Sequence, residues 1–120
     1  MNKVELEEAL DKNMLNQYIE VIGVDTLLKS ALMLEGMLGE HEISLKQCLL
    51  HQNLVGLRQQ AHQIKGAAGT LGLKRVQYIA DRIQTKEALC WYVEDEHNLQ
   101  LMLTYLKQDV QLLLEYFQSL

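Results

Sequence analysis

The residue best suited to group-transfer chemistry is His62, near the middle of the chain, with Arg58, Lys65, Gly66 and Gly69 at helical spacing beside it. A neutral imidazole, with a pKa near 6.5, is nucleophilic at neutral pH without a separate general base. It could attack an already activated phosphoryl group, and phosphorylation would then add about two negative charges to the surface. Lys65, one turn later, could stabilise those charges, and Arg58, one turn earlier, could contribute.

The segment around His62 has the spacing of an amphipathic helix that Asn53 caps and that ends near Thr70 to Gly72. Apolar residues recur along it at steps of three and four. At about 100° per residue, His62 points roughly 130° away from these residues and therefore toward solvent. The apolar residues are Leu54, Leu57, Ala61, Ile64, Ala68 and Leu71.

Two glycines, Gly66 and Gly69, lie on the same side of this helix as His62. Each glycine inside a helix costs about 1 kcal/mol relative to alanine. Close approach of a phosphoryl group or another protein to His62 would explain their presence. Alternatively, Gly66 packs against a neighbour, and Gly69 with Gly72 begins the C-terminal cap. The residues themselves leave both interpretations open.

The pattern His62-Gln63-Ile64-Lys65-Gly66, followed after five residues by Gly72, resembles the HxxKGxxxxxG signature of histidine-containing phosphotransfer (HPt) domains. The longer run AHQIKGAAGTLGL is most similar to the HPt module of Arc-type anaerobic redox-control sensor kinases. The resemblance implies a four-helix bundle with the active helix on one outer face. It also implies a site in which His62 is phosphorylated, Lys65 stabilises the phosphoryl group and Gly66 provides access.

Further residues around this site are expected to contact the protein partner. For the cations among them, an ordinary solvated surface is the alternative interpretation. The expected partner-binding residues are Arg58, Gln59, Gly69, Lys74 and Arg75.

The chain of 120 residues contains no proline and little strand-type alternation, which favours an all-α fold in a single domain, 1–120. Short helices are expected over 1–23 and an antiparallel helical bundle over 25–118, because long amphipathic segments alternate with short connections. Asn2 and Asn13 would cap the two short helices, with Gly23 as a left-handed C-terminal residue. Asp25 would cap a long helix to about Leu50.

The second half of the chain predicts two further helices, Leu73 to about Gln84 and a last one ending near Gln118. In the long helix before the motif, Gly36 and Gly39 predict a bend without a full break. The segment 86–93 is the expected loop, and its apolar residues suggest that it is tucked against the bundle. The last helix also carries a second apolar stripe, which faces that loop or forms a partner or self-association surface. The stripe comprises Leu101, Tyr105, Leu112 and Tyr116.

Composition and motifs narrow the function classes. The net charge of −5 argues against nucleic acid as a partner. No apolar run approaches the roughly 18 residues of a membrane span, and the acidic N-terminus is unlike a signal peptide. A cytoplasmic chain is therefore expected, with Cys48 and Cys90 as reduced, buried thiols. His41, His51 and His97 lack the spacing of a zinc site, and no metal or other cofactor is expected. His41 is expected inside the bundle or at its edge.

The sequence shows no phosphate-binding loop for ATP and no carboxylate cluster for Mg²⁺, which favours a phosphocarrier over a kinase. Together with this, the resemblance implies phosphotransfer within a two-component phosphorelay, and the chain is expected to be a monomer. The resemblance implies receiver domains of a hybrid sensor kinase and of a response regulator as partners. The alternatives are a helical adaptor with a degenerate motif and a domain excised from a larger chemotaxis-type kinase.

Overall fold

The computed structural model describes residues 9–120, and these residues form five α-helices without a strand. The only pairing of β type within this range is an isolated bridge between Leu10 and Leu73. The predicted all-α class is confirmed. The helices are α1 (Lys12–Ile22), α2 (Val24–Leu50), α3 (Leu54–Thr70), α4 (Lys74–Gln84) and α5 (Val93–Gln118).

Helices α2 to α5 form an antiparallel four-helix bundle, and α1 packs against α2. Helix α3 packs mainly on α4, while α5 packs on both α2 and α4, so that α3 and α4 form one side of the bundle. All six predicted apolar residues are buried, five of them within α3 and Leu71 directly after it. Their burial fixes the rotation of the helix and thereby directs the opposite face, with His62, to the outside.

The ends of α3 confirm the predicted boundaries. The Asn53 side chain accepts a hydrogen bond from the backbone N–H of Gly56 at 2.9 Å and caps the helix. At the other end, Gly72 has φ +67°, and the N–H of Leu73 donates to the carbonyl of Ala68 at 2.9 Å. A Cβ atom on Gly72 would also lie 2.9 Å from the side chain of Leu15, so both backbone and packing favour glycine there.

The predictions that Asn13 and Asp25 cap helices are wrong. Helix α1 begins two residues earlier than predicted, because Asp11 rather than Asn13 accepts the hydrogen bond from the N–H of Met14, at 3.1 Å. Gly23 precedes α2, and Asp25 lies inside its first turn, where a carboxylate still interacts favourably with the helix dipole. Gly23 has the predicted positive φ, +87°, but its ψ of 154° is outside the left-handed helical region. The helix predicted to start at Asn2 lies mainly outside the described residues.

The connection between α4 and α5 is less buried than its apolar residues suggest. Leu89 is 95 % exposed and Cys90 is also exposed, so the predicted tucked conformation is wrong for both. The prediction rests on Leu89, Cys90, Trp91 and Tyr92, and of these four only Trp91 packs against the core, as a half-buried residue. Cys48 is buried as predicted, and burial raises the pKa of its thiol.

The second stripe of α5 is only partly covered: Leu112 is buried, whereas Leu101, Tyr105 and Tyr116 are half-buried against the core. The Tyr116 hydroxyl donates to Asn16 on α1 at 2.6 Å. The guanidinium of Arg75 on α4 lies 4.3 Å from the centroid of the Tyr105 ring. These contacts account for Tyr105 and Tyr116, and both predicted roles of the stripe, against the connection or at a partner or self-association surface, stay predictions.

Candidate functional site

His62 lies on the outer face of α3 and is exposed, as its angle to the apolar residues predicts. It borders an open depression of about 470 Å³ at the edge between α3 and α4. The depression is large enough for a phosphoryl group and open enough for the side chain of a second protein to enter. Its lining residues are Val55, Arg58, Gln59, His62, Gln63 and Gln84.

Gln84, in the last turn of α4, is hydrogen-bonded to the imidazole. Its Nε2 lies 2.7 Å from Nδ1 of His62, while its Oε1 is buried without a hydrogen-bond partner. In this orientation Nδ1 accepts the bond, and the ring proton of a neutral imidazole is on Nε2. Rotation of the amide by 180° would place its oxygen against Nδ1–H and leave the Nε2 lone pair free. Gln84 is thus positioned to select which ring nitrogen is the nucleophile.

Lys65 is one helical turn after His62, but its ammonium group contacts α4. Its Nζ lies 2.6 Å from Oδ1 of Asp81, and the two side chains are 35 % and 49 % exposed. Asp81 precedes Gln84 by three residues, so the two α4 side chains that meet His62 and Lys65 are neighbours on one helix face. Lys65 therefore has a carboxylate partner in the absence of a phosphoryl group.

The space around Gly66 is open. A Cβ atom built at this position would meet no other atom within 4 Å, which shows that the packing interpretation of Gly66 is wrong. At Gly69 the added atom would lie 3.3 Å from Nε2 of Gln77, the end of a flexible side chain. The missing side chain at Gly66 therefore leaves room beside His62 that the fold itself does not use.

Arg58 holds the connection between α4 and α5. Its Nη2 donates to the backbone carbonyl of Lys86 at 2.5 Å and to that of Ala88, while its Nε is buried without a partner. This use of the guanidinium was not predicted, because the spacing along α3 does not reveal which carbonyls lie nearby. The predicted reach of Arg58 toward a phosphoryl group stays a prediction.

The same connection is fixed to the start of α5 by charge. The ammonium group of Lys86 lies 2.6 Å from Glu94 and 2.9 Å from buried Asp95. Burial alone would lower the pKa of Lys86, but the hydrogen bonds that its ammonium group donates to Glu94 and Asp95 outweigh burial and raise that pKa. Asp95 also accepts from the N–H of Tyr92 at 2.7 Å. The connection is thus held to α3 by Arg58 and to the start of α5 by Lys86.

The other predicted partner-binding residues differ in their surroundings. Gln59 borders the depression, and Lys74 is exposed at a second, smaller one that also contains Lys65 and Asp81. Arg75 forms an ion pair with Asp109 on α5, whose carboxylate is fully buried. Burial raises the pKa of Asp109, and Arg75 opposes this rise. For all of these residues, Arg75 included, a role in partner binding stays a prediction.

The remaining histidines lie apart from any metal-binding arrangement in the described part of the chain. His41 is buried, as predicted, with Nδ1 3.5 Å from Oε1 of Gln60. Between residues 9 and 120, no three or more His, Cys, Asp or Glu residues are grouped so that they could hold a metal ion. In that range, too, no helix has the length and hydropathy needed to span a membrane.

Sequence reasoning missed Gln84 and Asp81. Both lie on α4, about twenty residues after His62, and neither belongs to the recognised pattern. The helical period of α4 could have shown that they share a face, but only the packing of α4 on α3 brings that face to His62.

Residues 28–115 match the Hpt domain family. Among curated proteins, the chain is similar to the aerobic respiration control sensor protein ArcB of Escherichia coli K12, with 33 % identity over 85 residues. The protein of the same name from Shigella flexneri has the same identity over the same length. The alignments cover 71 % of this chain, which spans only 11 % of the length of these relatives.

Two solved structures have similar folds. One is the histidine-containing phosphotransfer domain of ArcB from Escherichia coli, with a TM-score of 0.86 and 28 % identity. The match covers 96 % of this chain and 98 % of that domain. A structure determined in solution, described as the same domain of the anaerobic sensor kinase ArcB, has a TM-score of 0.81 and 27 % identity, covering 98 % and 96 %.

Proposed function

Because this chain belongs to the Hpt domain family, with a histidine phosphotransfer role in phosphorelays, we propose that His62 is the residue that carries the phosphoryl group. The observation that carries this proposal is the exposed imidazole on α3, beside an open depression and held by Gln84. Of the four histidines, this is the one that combines the family motif with such a setting.

The proposed reaction begins with a phosphorylated aspartate of a receiver domain. The Nε2 lone pair of His62 forms the N–P bond while the P–O bond to the aspartate breaks, and the carboxylate leaves with the electron pair. Nδ1 keeps its proton, so the phosphorylated ring carries a positive charge beside the dianionic phosphoryl group. Attack by the aspartate of a second receiver reverses these steps, and the direction follows from the relative stability of the two phosphorylated proteins.

Gln84 supports this step when its amide oxygen faces the ring. The oxygen accepts the hydrogen bond from Nδ1–H and thereby favours the tautomer whose Nε2 lone pair is free. The same bond stabilises the positive ring that the reaction generates, because hydrogen bonds to charged groups are stronger than neutral ones. Gln84 is in this proposal a positioning residue, and His62 alone forms the covalent bond.

Lys65 and Gly66 complete the proposed site. The flexible stem of Lys65 allows its ammonium group to leave Asp81 and approach phosphoryl oxygens one helical turn away. The open space at Gly66 admits the edge of a receiver domain to the imidazole. Arg58, Gln59, Gly69, Lys74 and Arg75 are proposed to contribute to the contact with the partner.

Domains of this family carry phosphoryl groups, and their partners in general are receiver domains and response regulators. We propose that this chain has no ATP-dependent activity of its own and works as a monomer in the cytoplasm, where phosphorylated receivers are formed. Its similarity to the sensor protein ArcB supports a hybrid sensor kinase as one partner.

The decisive experiment incubates the chain with a receiver domain that carries radiolabelled phosphate on its aspartate. We expect acid-labile, base-stable label on the wild type and none on His62→Gln, with unchanged circular dichroism because His62 is exposed. The variant retains His41, His51 and His97 as internal controls. Label on the variant would refute His62 as the acceptor, and absence of label on both proteins would favour the helical adaptor.

A further inference from the structure

The ion pair between Lys65 and Asp81 links the active face of α3 to α4. Lys65 Nζ lies 2.6 Å from Asp81 Oδ1, and both side chains retain substantial exposure. Together with Lys74, Gln77 and Tyr78, they line one depression. His62 lines a separate depression, which Gln84 also lines. The ammonium group of Lys65 therefore occupies a position on the α4 side of the helix, next to but outside the depression at His62.

A phosphoryl group on His62 would compete with Asp81 for this ammonium group. Residues three apart on a helix lie side by side, so a phosphoryl group on His62 is within reach of the four-carbon stem of Lys65. An exposed ammonium–carboxylate pair is weak, which makes the exchange feasible, and a doubly charged phosphoryl group is the stronger partner. Asp81, in turn, has no second cation among its described contacts, and its own charge would repel the phosphoryl group.

We propose that Asp81 sets the stability of phosphorylated His62 by holding Lys65 in the unphosphorylated state. This inference rests on the proposed function and assigns a role to a residue outside the family motif. Phosphorylation transfers the Lys65 ammonium group from Asp81 to the phosphoryl oxygens. The free energy of the Lys65–Asp81 ion pair is therefore lost and offsets part of the free energy gained from the contact between Lys65 and the phosphoryl group. The carboxylate thereby shifts the transfer equilibrium toward the receiver and keeps His62 a good donor.

The test measures the equilibrium between phosphorylated receiver and phosphorylated His62, using a purified receiver domain that labels the wild-type chain. Asp81→Asn removes the charge with almost no change in shape, and Asp81→Ala removes the acceptor as well. Both variants should shift the equilibrium toward phosphorylated His62 by about two- to fivefold, the value of an exposed ion pair. The shift should decrease with added salt.

A variant that lacks the Lys65 ammonium group distinguishes this role from direct repulsion between the Asp81 carboxylate and the phosphoryl group. Lys65→Met keeps most of the apolar stem but removes the ammonium group. In this background, Asp81→Asn should change the equilibrium by much less than in the wild type. Glu115→Gln on α5 removes one negative charge at an exposed position far from this pair in the sequence, and it controls for net charge. We expect no shift from it.

Two results would overturn the proposal. One is an unchanged equilibrium in both Asp81 variants together with a lower melting temperature, which would show that the pair merely joins α3 to α4. The other is an equal shift with and without the Lys65 ammonium group, which would show direct repulsion only. Either result leaves the proposed function intact. That function fails only if the wild-type chain takes up no label, or if the His62→Gln variant still takes up label.

Discussion

Replacing Gln84 by leucine tests how the fold prepares the imidazole for reaction. The substitution keeps the approximate size of the side chain but removes the amide that lies 2.7 Å from Nδ1 of His62. It also removes the buried Oε1 that has no hydrogen-bond partner, so the stability of the fold should change little. His62 remains exposed and free to meet a receiver domain.

The expected size of the effect follows from one hydrogen bond. A neutral hydrogen bond contributes about 0.5–1.5 kcal/mol, and a bond to a charged group contributes about 1.5–3 kcal/mol. The His62 ring is neutral before transfer and positive afterwards, so the rate of phosphoryl uptake should fall by about three- to thirtyfold. Melting temperature and helical content should stay near those of the wild type.

The assay combines transfer kinetics with a direct view of the ring. Rapid mixing with a labelled receiver domain gives the rate, and nitrogen NMR of the histidine ring gives the tautomer. With the Gln84 amide rotated so that its oxygen faces the ring, as the proposed reaction requires, the wild type should carry the proton on Nδ1, whereas Gln84→Leu should show the mixture typical of an unrestrained imidazole. Gln100→Leu, at an exposed position on α5, is the matched control and should alter neither quantity.

The reasoning is refuted if Gln84→Leu transfers at the wild-type rate with the tautomer ratio unchanged. A slower rate with an unchanged ratio would also count against it, because the effect would then come from docking. Gln84→Glu should restore part of the tautomer preference, since a carboxylate oxygen accepts from Nδ1–H.

Three further predictions concern other parts of the chain. Gly66→Ala should raise the free energy of unfolding by up to about 1 kcal/mol and permit transfer. Gly66→Leu should fold but transfer the phosphoryl group at least tenfold more slowly. Transfer at the wild-type rate by the leucine variant would show that receiver domains do not use this space. Glu42 on α2 pairs with Lys46 and Lys107, and their hydrogen bonds lower its pKa from 4.5 to about 2. Its contribution to stability should therefore be complete above about pH 4.5 and disappear as the pH falls toward 2. Denaturant titrations should then show that the free energies of unfolding of wild type and Glu42→Gln converge at low pH. A difference that stays constant with pH would contradict this. Exposed Cys90 should react with a thiol reagent in the native state and buried Cys48 only upon unfolding, and equal rates measured by mass spectrometry would be inconsistent with the fold.

Residue spacing and composition were enough to predict the helical class and the orientation of the motif helix. Spacing of three and four residues places Leu57 and Ile64 on one face, and their burial leaves His62 on the other, because a helix has only one rotation that hides its apolar side. The sequence also predicted that Asn53 begins this helix and that Gly72 ends it, because helix caps depend on a few adjacent residues. The motif, because it lies inside a helix of an all-helical chain of this length, then indicated the family.

The groups that surround His62 depend instead on how the helices pack against each other. Gln84 and Asp81 reach the site because α4 packs along α3, and no local pattern in the sequence encodes the offset between two packed helices. The same packing directs the guanidinium of Arg58 to carbonyls about thirty residues away. Long polar side chains have many rotamers of similar energy, so their partners are chosen by whichever opposite charge or acceptor the fold brings within reach, as Lys65 and Asp81 illustrate.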